Sequence, residues 1–281
     1  MNRGKRMALP SRVVAKVLRG VLIIPYIRYS VISIKVLHLY LYFQRRTLPA
    51  YTDASPTKLL YLSPKDIEYY FDSPPAVRFD DERTSSVSTP TDYGGVFGGT
   101  WDQSGIQFEK TTLYASMQER YQSGLDWVET ELFTALADDI QRGIPRYECM
   151  TISELEAHFE LVDRLYSSIE QEGYKSQREL FSDGSGWEDN TSRYDSVHPF
   201  LNEIAINIGR HGEMGKVSSG DHRLAIAKLL DIDEIPVIVR VRHEDWQRKR
   251  DLARELDDQE SMPNEVKDYR DHPDLADVLG D

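Results

Sequence analysis

The run from Glu203 to Arg242 constrains this chain more than any other segment. EIAINIGR (203–210) places Ile204, Ile206 and Ile208 two apart, the spacing of a strand with one apolar face. His211-Gly212 then supports a turn. Ser218-Ser219-Gly220-Asp221-His222-Arg223 leads into LAIAKLL (224–230), a strong helix, and IPVIVRV (235–241) is a β-branched strand. Upstream, Thr151-Ile152-Ser153-Glu154 is a capping box. Leu155, Phe159, Val162, Leu165 and Ile169 follow at helical spacing, and Gly173 stands where that helix should stop. The alternation of helices and strands predicts an α+β unit built on a mixed sheet.

The turn before the second helix carries the candidate chemistry. Small residues entering a helix leave backbone N–H groups without intrahelical partners, and the helix dipole adds positive potential. An anion is favoured there. Gly220 lets the backbone approach a ligand closely, with Ser219 beside it. Arg223 offers a planar fork that suits a phosphate. His222 can donate a bond or carry a proton near neutrality. Asp221 is unexpected beside an anion. It serves either as the N-cap or as a ligand of a magnesium ion that bridges to phosphate. Plainer readings stand next to these: His222 packed or capping, Arg223 paired with an acid, and Glu203 a solvated strand-edge carboxylate.

Three segments together, LVDRLYSSIEQEG (161–173), EIAINIGRHGEM (203–214) and SSGDHRLAIAKLLDIDEIPVIV (218–239), resemble the ParB/sulfiredoxin-like superfamily. The resemblance covers roughly residues 151–243, about a third of the chain, and is more specific for fold than for function. It is also similar to the form found in a set of haloarchaeal and viral proteins, a likeness that extends to the N-terminal arm and to His272-Pro273-Asp274-Leu275. Superfamily members use this turn to hold nucleotide phosphates. They include CTP-hydrolysing partition proteins, ATP-dependent sulfiredoxins and serine kinases. The resemblance implies that Ser219, Gly220, Asp221, His222 and Arg223 bind the phosphates of ATP, ADP or CTP, with magnesium as cofactor. It makes Glu203, Asp221 and His222 the candidate catalytic groups. The chain departs from each member. Asp221 stands where sulfiredoxins carry their reactive cysteine, Asp221-His222 replaces the Glu-Arg of partition proteins, and the kinase turn matches at His222 and Arg223 but not at Asp221.

Charge divides the chain. Residues 1–50 hold ten basic residues and no acid, whereas the whole chain is at −13. The remainder is therefore strongly acidic, at −23. A surface that repels itself this strongly suits high salt, as in a halophile cytosol, and excludes a nucleic-acid coat protein at whole-chain level. The single cysteine, Cys149, excludes an intrachain disulfide framework and a paired-cysteine metal or redox site. Apolar stretches between 13 and 43 are each too short to span a bilayer, and no clear signal cleavage site follows them. Arg12, Lys16 and Arg19 fall on one helical stripe, Arg28 and Lys35 share a face, and Pro25 should divide the helix. Residues 12–46 are expected either to lie on an anionic membrane surface or to pack on the acidic body, with nucleic acid the weaker option. The expected location is cytoplasmic, peripheral at the inner membrane face.

Four segments follow: a basic amphipathic arm (1–50), a loop-rich and helical region (51–150), the ParB/sulfiredoxin-like domain (151–245), and a charged helix with an acidic tail (246–281). Within 51–150, KLLYLSPKDIEYY (58–70) reads as strand, turn and helical turn. Gly94–Gly99 lacks the Lys-Ser/Thr of a phosphate-binding loop and reads as a flexible turn. Thr112–Gly124 and Trp127–Gly143 read as helices, and Cys149-Met150 as a buried strand. Residues 261–281 are expected to be mostly disordered, with Leu275, Val278 and Leu279 as a docking anchor. The function expected is a nucleotide- or phosphate-binding protein, kinase-like or NTP-hydrolysing. The alternatives are a DNA-binding partition-type protein and a non-catalytic scaffold of the same fold.

Overall fold

The computed structural model describes residues 8–22, 31–46, 48, 50–71, 93–103, 105–182, 198–217, 219–256 and 262–280. Expectations resting on Pro25, Arg28, the 72–92 stretch, the 183–197 insertion and Ser218 lie outside these residues, as do the side chains of Arg12 and Lys16. Seven strands form one open mixed sheet: β1 (Leu59–Leu62), β2 (Tyr69–Phe71), β3 (Gly95–Phe97), β4 (Gly105–Gln107), β5 (Ile204–Ile208), β6 (Met214–Lys216) and β7 (Ile235–His243). Ten α-helices are described: α1 (Ala8–Leu22), α2 (Val31–Arg45), α3 (Thr112–Gln118), α4 (Glu131–Gln141), α5 (Ile152–Glu172), α6 (Gln177–Ser182), α7 (Asp221–Leu229), α8 (Glu244–Arg254), α9 (Asn264–Lys267) and α10 (Ala276–Leu279).

Strand order is β1-β7-β5-β6-β2-β4, with β3 also paired to β7. β5 runs parallel to β7 from Ile204↔Val237 to Ile208↔Arg242. A register shift falls after Ile206, and Asn207 repairs it by accepting a bond from Val241 N–H at 3.1 Å. β1 lies antiparallel to the first half of β7 and β3 parallel to its end. Strands from 59–107 therefore interleave with strands from 204–243. This corrects the expected boundary at 150, because β2 pairs with β6 in the same sheet.

The alternation in β5 has two buried sides. Ile204, Ile206 and Ile208 enter a large core with α3, α4, α5 and α7, while Ala205 faces a second core with Leu22, Leu37, Tyr40 and Leu41 from α1 and α2. The arm thus covers one face of the sheet. The capping box holds as expected: Thr151 Oγ1 accepts from Glu154 N–H at 3.2 Å and Glu154 accepts from Thr151 N–H at 3.1 Å.

Three local expectations are corrected. Gly94–Gly99 is no flexible turn. It supplies β3, and Gly94 is required because a Cβ there would lie 2.6 Å from the Tyr51 ring. Cys149 is buried but not in a strand. It closes a tight turn on Arg146, and Met150 is exposed. The segment after 261 is not disordered over 262–280. It forms α9 and α10, and Val266 and Leu275 are fully buried.

The reason is an ion cluster. Every side chain of β7 is buried, so Arg242 must find its partner inside. Asp274 receives Arg242 Nε at 2.9 Å and Trp246 Nε1 at 2.9 Å. Arg250 donates to the Asp274 carbonyl and bonds Asp53 at 2.9 Å and Asp277 at 2.7 Å. Burial alone would raise the Asp274 pKa, but Arg242 and Arg250 reverse that and hold it below the ordinary carboxylate range. Truncating one partner leaves a buried cation unpaired. Asp274→Ala is expected to cost about 3–5 kcal/mol, read as a lowered midpoint in urea unfolding.

Candidate functional site

Gly220, not Asp221, caps α7. Its φ is +83°, and a Cβ would lie 2.9 Å from Ile204 Cα, so both conformation and space demand glycine. Ser219 also has positive φ, at 88°. The turn is tied to the sheet through Ala205 N–H to the Ser219 carbonyl at 3.3 Å. Among the described residues no side chain caps the helix. The amides of its first turn precede the first intrahelical bond, from Leu224 N–H to the Gly220 carbonyl at 3.0 Å.

Asp221 is the first helical residue, which corrects its reading as the N-cap. Its carboxylate lies 2.6 Å from Lys216 Nζ. Lys216, at the end of β6, is fully buried, and its ammonium also donates to the Ser219 carbonyl at 2.6 Å and to the Val217 carbonyl. Desolvation lowers its pKa, and Asp221 opposes that fall. The Tyr70 ring lies 5.6 Å from the ammonium, and burial raises the Tyr70 phenol. A buried cation sits directly beneath the turn, and its counter-ion comes from the turn itself.

Arg223 points inward. Its Nη2 donates to the Asn202 carbonyl, and its Nη1 lies 3.9 Å from Glu203 Oε2. Glu203 is wholly enclosed, so the reading of a solvated strand-edge acid is corrected. Its Oε1 accepts from Gln177 N–H at 2.7 Å. Burial pushes its pKa up to about 7 against the pull of Arg223. Glu203 Oε2, Arg223 Nε and Nη1, Ser219 Oγ, Tyr174 OH and His222 Nε2 are all buried with no hydrogen-bond partner among the described residues. Such groups are individually costly and rarely cluster. Here five residues gather around one turn.

His222 faces away from Glu203, toward α5. Its ring lies 5.6 Å from that of His158 and 5.4 Å from that of Tyr147. Desolvation lowers His158 to about 3 and His222 to about 4, so both rings are neutral at physiological pH. The structure therefore gathers Ser219, Gly220, Asp221, His222 and Arg223 at one turn but divides them. Asp221 turns to Lys216, Arg223 to Glu203 inside, and His222 to the aromatic pair. Lys216, His158 and Tyr147 carry no local signal in the sequence. Lys216 is an ordinary strand residue by pattern, His158 sits beside the apolar stripe of α5, and Tyr147 lies in a loop.

Among the described residues no group of three or more His, Cys, Asp or Glu side chains is placed to hold a metal ion. No family model, curated protein or solved structure matches the chain.

The folded state holds a proton on Glu203 up to about pH 7, whereas an unfolded glutamate releases it near its model value of 4.5. Its contribution is therefore present below the unfolded pKa and lost as pH rises through 7. Glu203→Gln removes this loss. The stability of the variant relative to wild type is expected to climb by roughly 3 kcal/mol between pH 4 and pH 8 in urea titrations. A flat difference would show that Glu203 is not enclosed as described.

Proposed function

We propose that the chain is a nucleotide- or phosphate-binding protein whose phosphate site is the Ser219–Arg223 turn. One observation carries this reading: α7 starts uncapped directly above the buried ammonium of Lys216. Helix amides and a cation favour the same guest. Partner-less polar atoms around the turn are a second support. In the free protein Asp221 satisfies Lys216. An incoming phosphate takes over that charge and leaves the carboxylate to meet magnesium carried by the nucleotide. Glu203 acts on Arg223 rather than on solvent, which makes it a positioning residue, and His222 borders the site as a neutral imidazole. The order of helix, strand, turn, helix and strand supports the ParB/sulfiredoxin-like reading of residues 151–243. Kinase-like or hydrolytic turnover belongs to the same proposal, and binding without turnover would mark a scaffold.

Calorimetry with ATP, ADP and CTP, with and without magnesium, tests it. At least one nucleotide is expected to bind. Lys216→Met is expected to weaken binding about tenfold or more, and Asp221→Asn to strengthen magnesium-free binding several-fold by releasing Lys216. Absence of heat with all three nucleotides, or an unchanged affinity in Lys216→Met, would overturn the reading. Phosphate release then separates an enzyme from a scaffold.

We further propose that the arm attaches to an anionic membrane surface. Among the described residues no helix is long and apolar enough to cross a membrane. The arm instead leaves Val13 and Val17 of α1 and Ile32, Leu39 and Tyr42 of α2 exposed on the side away from the sheet. Among the described residues, none of Arg19, Lys35, Arg45 and Arg46 is ion-paired with a carboxylate. Arg45 lies over Tyr51 and Arg46 over Tyr42. Apolar side chains amid unneutralised cations are what an acidic lipid surface attracts. Full-length protein is expected to float with anionic but not neutral vesicles, and Val17→Asp with Leu39→Asp should release it. Equal flotation of the double variant would remove this part of the proposal.

A further inference from the structure

Glu203 stands just before β5 and Arg223 lies in the first turn of α7, so the pair bridges the sheet and the phosphate turn. Both side chains are enclosed, at 0% and 4% exposure. Glu203 Oε2 is 3.9 Å from Arg223 Nη1, beyond hydrogen-bond length. Among the described residues neither Oε2 nor Arg223 Nε and Nη1 has a hydrogen-bond partner. The other ends of both groups are tied down. Glu203 Oε1 accepts from Gln177 N–H at 2.7 Å, and Arg223 Nη2 donates to the Asn202 carbonyl. The two charges are thus held close without closing on each other. The turn rests on the same place. A Cβ on Gly220 would lie 2.9 Å from the Cα of Ile204, the residue next to Glu203, and 3.3 Å from Arg223 Nη2.

A buried carboxyl group limits the cost of desolvation in two ways: it keeps a cation beside it, or it holds a proton. The groups that face Glu203 are Arg223 from α7, Arg178 and Glu179 from α6, and Tyr174 just before α6. Burial pushes Glu203 up to about 7; Arg223 pulls hardest against it, then the Gln177 N–H and Arg178, while Glu179 sides with burial. Arg178 is also committed to the Thr57 carbonyl, which leaves Arg223 as the main support of the charged form. A phosphate seated at the turn shares the field of that guanidinium and repels the carboxylate through a low-dielectric interior. Both effects favour a proton on Glu203. Four neighbours of the turn keep their charge between pH 6 and pH 8: desolvation holds His222 at about 4 and His158 at about 3, and raises the phenols of Tyr70 and Tyr174.

We infer that phosphate binding at the Ser219–Arg223 turn is coupled to proton uptake by Glu203, the enclosed carboxylate giving up its charge as the anion arrives; the inference rests on the phosphate reading of that turn. The site then takes a multiply charged anion without leaving two like charges facing each other in the interior. Linkage makes the effect reciprocal. A group whose pKa is higher in the bound state favours binding below its free pKa, and that advantage is lost as pH rises through the two values. Affinity for phosphate therefore falls with rising pH, and Glu203 sets the range over which it falls.

Magnesium-free calorimetry with the tightest binder among ATP, ADP and CTP, in buffers of different ionisation enthalpy, counts the protons taken up. At pH 7.5 wild type is expected to take up roughly 0.3–0.5 proton per nucleotide more than Glu203→Gln. The nucleotide's own titration is common to both proteins and cancels in the difference. Between pH 6 and pH 8.5 the affinity of wild type should fall about three- to tenfold relative to that of Glu203→Gln. Lys216 is the second buried group that an anion can protonate, because desolvation lowers its pKa, and proton uptake that survives in Glu203→Gln belongs to it. A measurement on wild type alone separates the two without any variant: adding nucleotide should produce a protonated-carboxyl band in the infrared difference spectrum, which a lysine cannot give. Equal proton counts in the two folded proteins, or absence of that band, would overturn the coupling and leave the phosphate site standing. Failure of all three nucleotides to bind wild type overturns the phosphate reading and the coupling with it.

Discussion

No side chain of β7 reaches solvent, and most of the structure answers that constraint. The strand is nine residues long and includes Arg240, Arg242 and His243, whose polar groups would be costly to bury alone. Each finds a partner in the interior. Arg240 lies over the Tyr93 ring, Arg242 bonds Asp274, and His243 bonds the Gly99 carbonyl at 3.0 Å. Those partners come from residues 93–99 and from 274, so the strand draws both the glycine-rich stretch and the C-terminal segment onto itself. β1 and β3 share one edge of it and β5 holds the other. The remaining elements are placed relative to this frame.

Because β5 is bonded to β7, the turn that caps α7 is held against Ile204 and Ala205. The close approach is possible only with glycine at 220. It brings Lys216 and Glu203 to the same turn, one a buried cation and the other a carboxyl group whose pKa burial raises. Their energetics oppose each other. Lys216 gains from any added anion, whereas Glu203 loses from desolvation and is steadied by Arg223. Around this turn several buried polar atoms have no hydrogen-bond partner among the described residues.

The arm packs on the body, one of the two placements that its sequence allows. Helices α1 and α2 bury Leu22, Leu37, Tyr40 and Leu41 against the sheet, so the arm packs on the body. Apolar contact makes up most of this packing, with Arg45 adding a contact over the Tyr51 ring. Among the described residues Lys35, Arg45 and Arg46 are exposed, Arg45 lying over the Tyr51 ring and Arg46 over that of Tyr42. Hydrophobic burial fixed the orientation and thereby left the charge outside.

Much of the fold was legible from neighbours along the chain. The period of two in Ile204, Ile206 and Ile208, the reciprocal cap at Thr151 and Glu154, Gly173 after the last turn of α5, and Gly220 at the start of α7 are local signals, because backbone geometry is set by residues a few positions apart. The candidate turn was legible for the same reason. Lys216, Glu203, Tyr147 and the C-terminal segment were not. A lysine in a strand, a carboxylate before one, a tyrosine in a loop and an acidic tail look solvated by composition. What they do depends on which distant surfaces meet them: β2 beside Lys216, α6 beside Glu203, α5 behind Tyr147, and Arg242 beneath Asp274. The sequence by itself determined where the chain coils, extends and turns. Only the tertiary structure decided which charges are buried and paired, because desolvation and Coulomb energy depend on distance in space and not on distance along the chain.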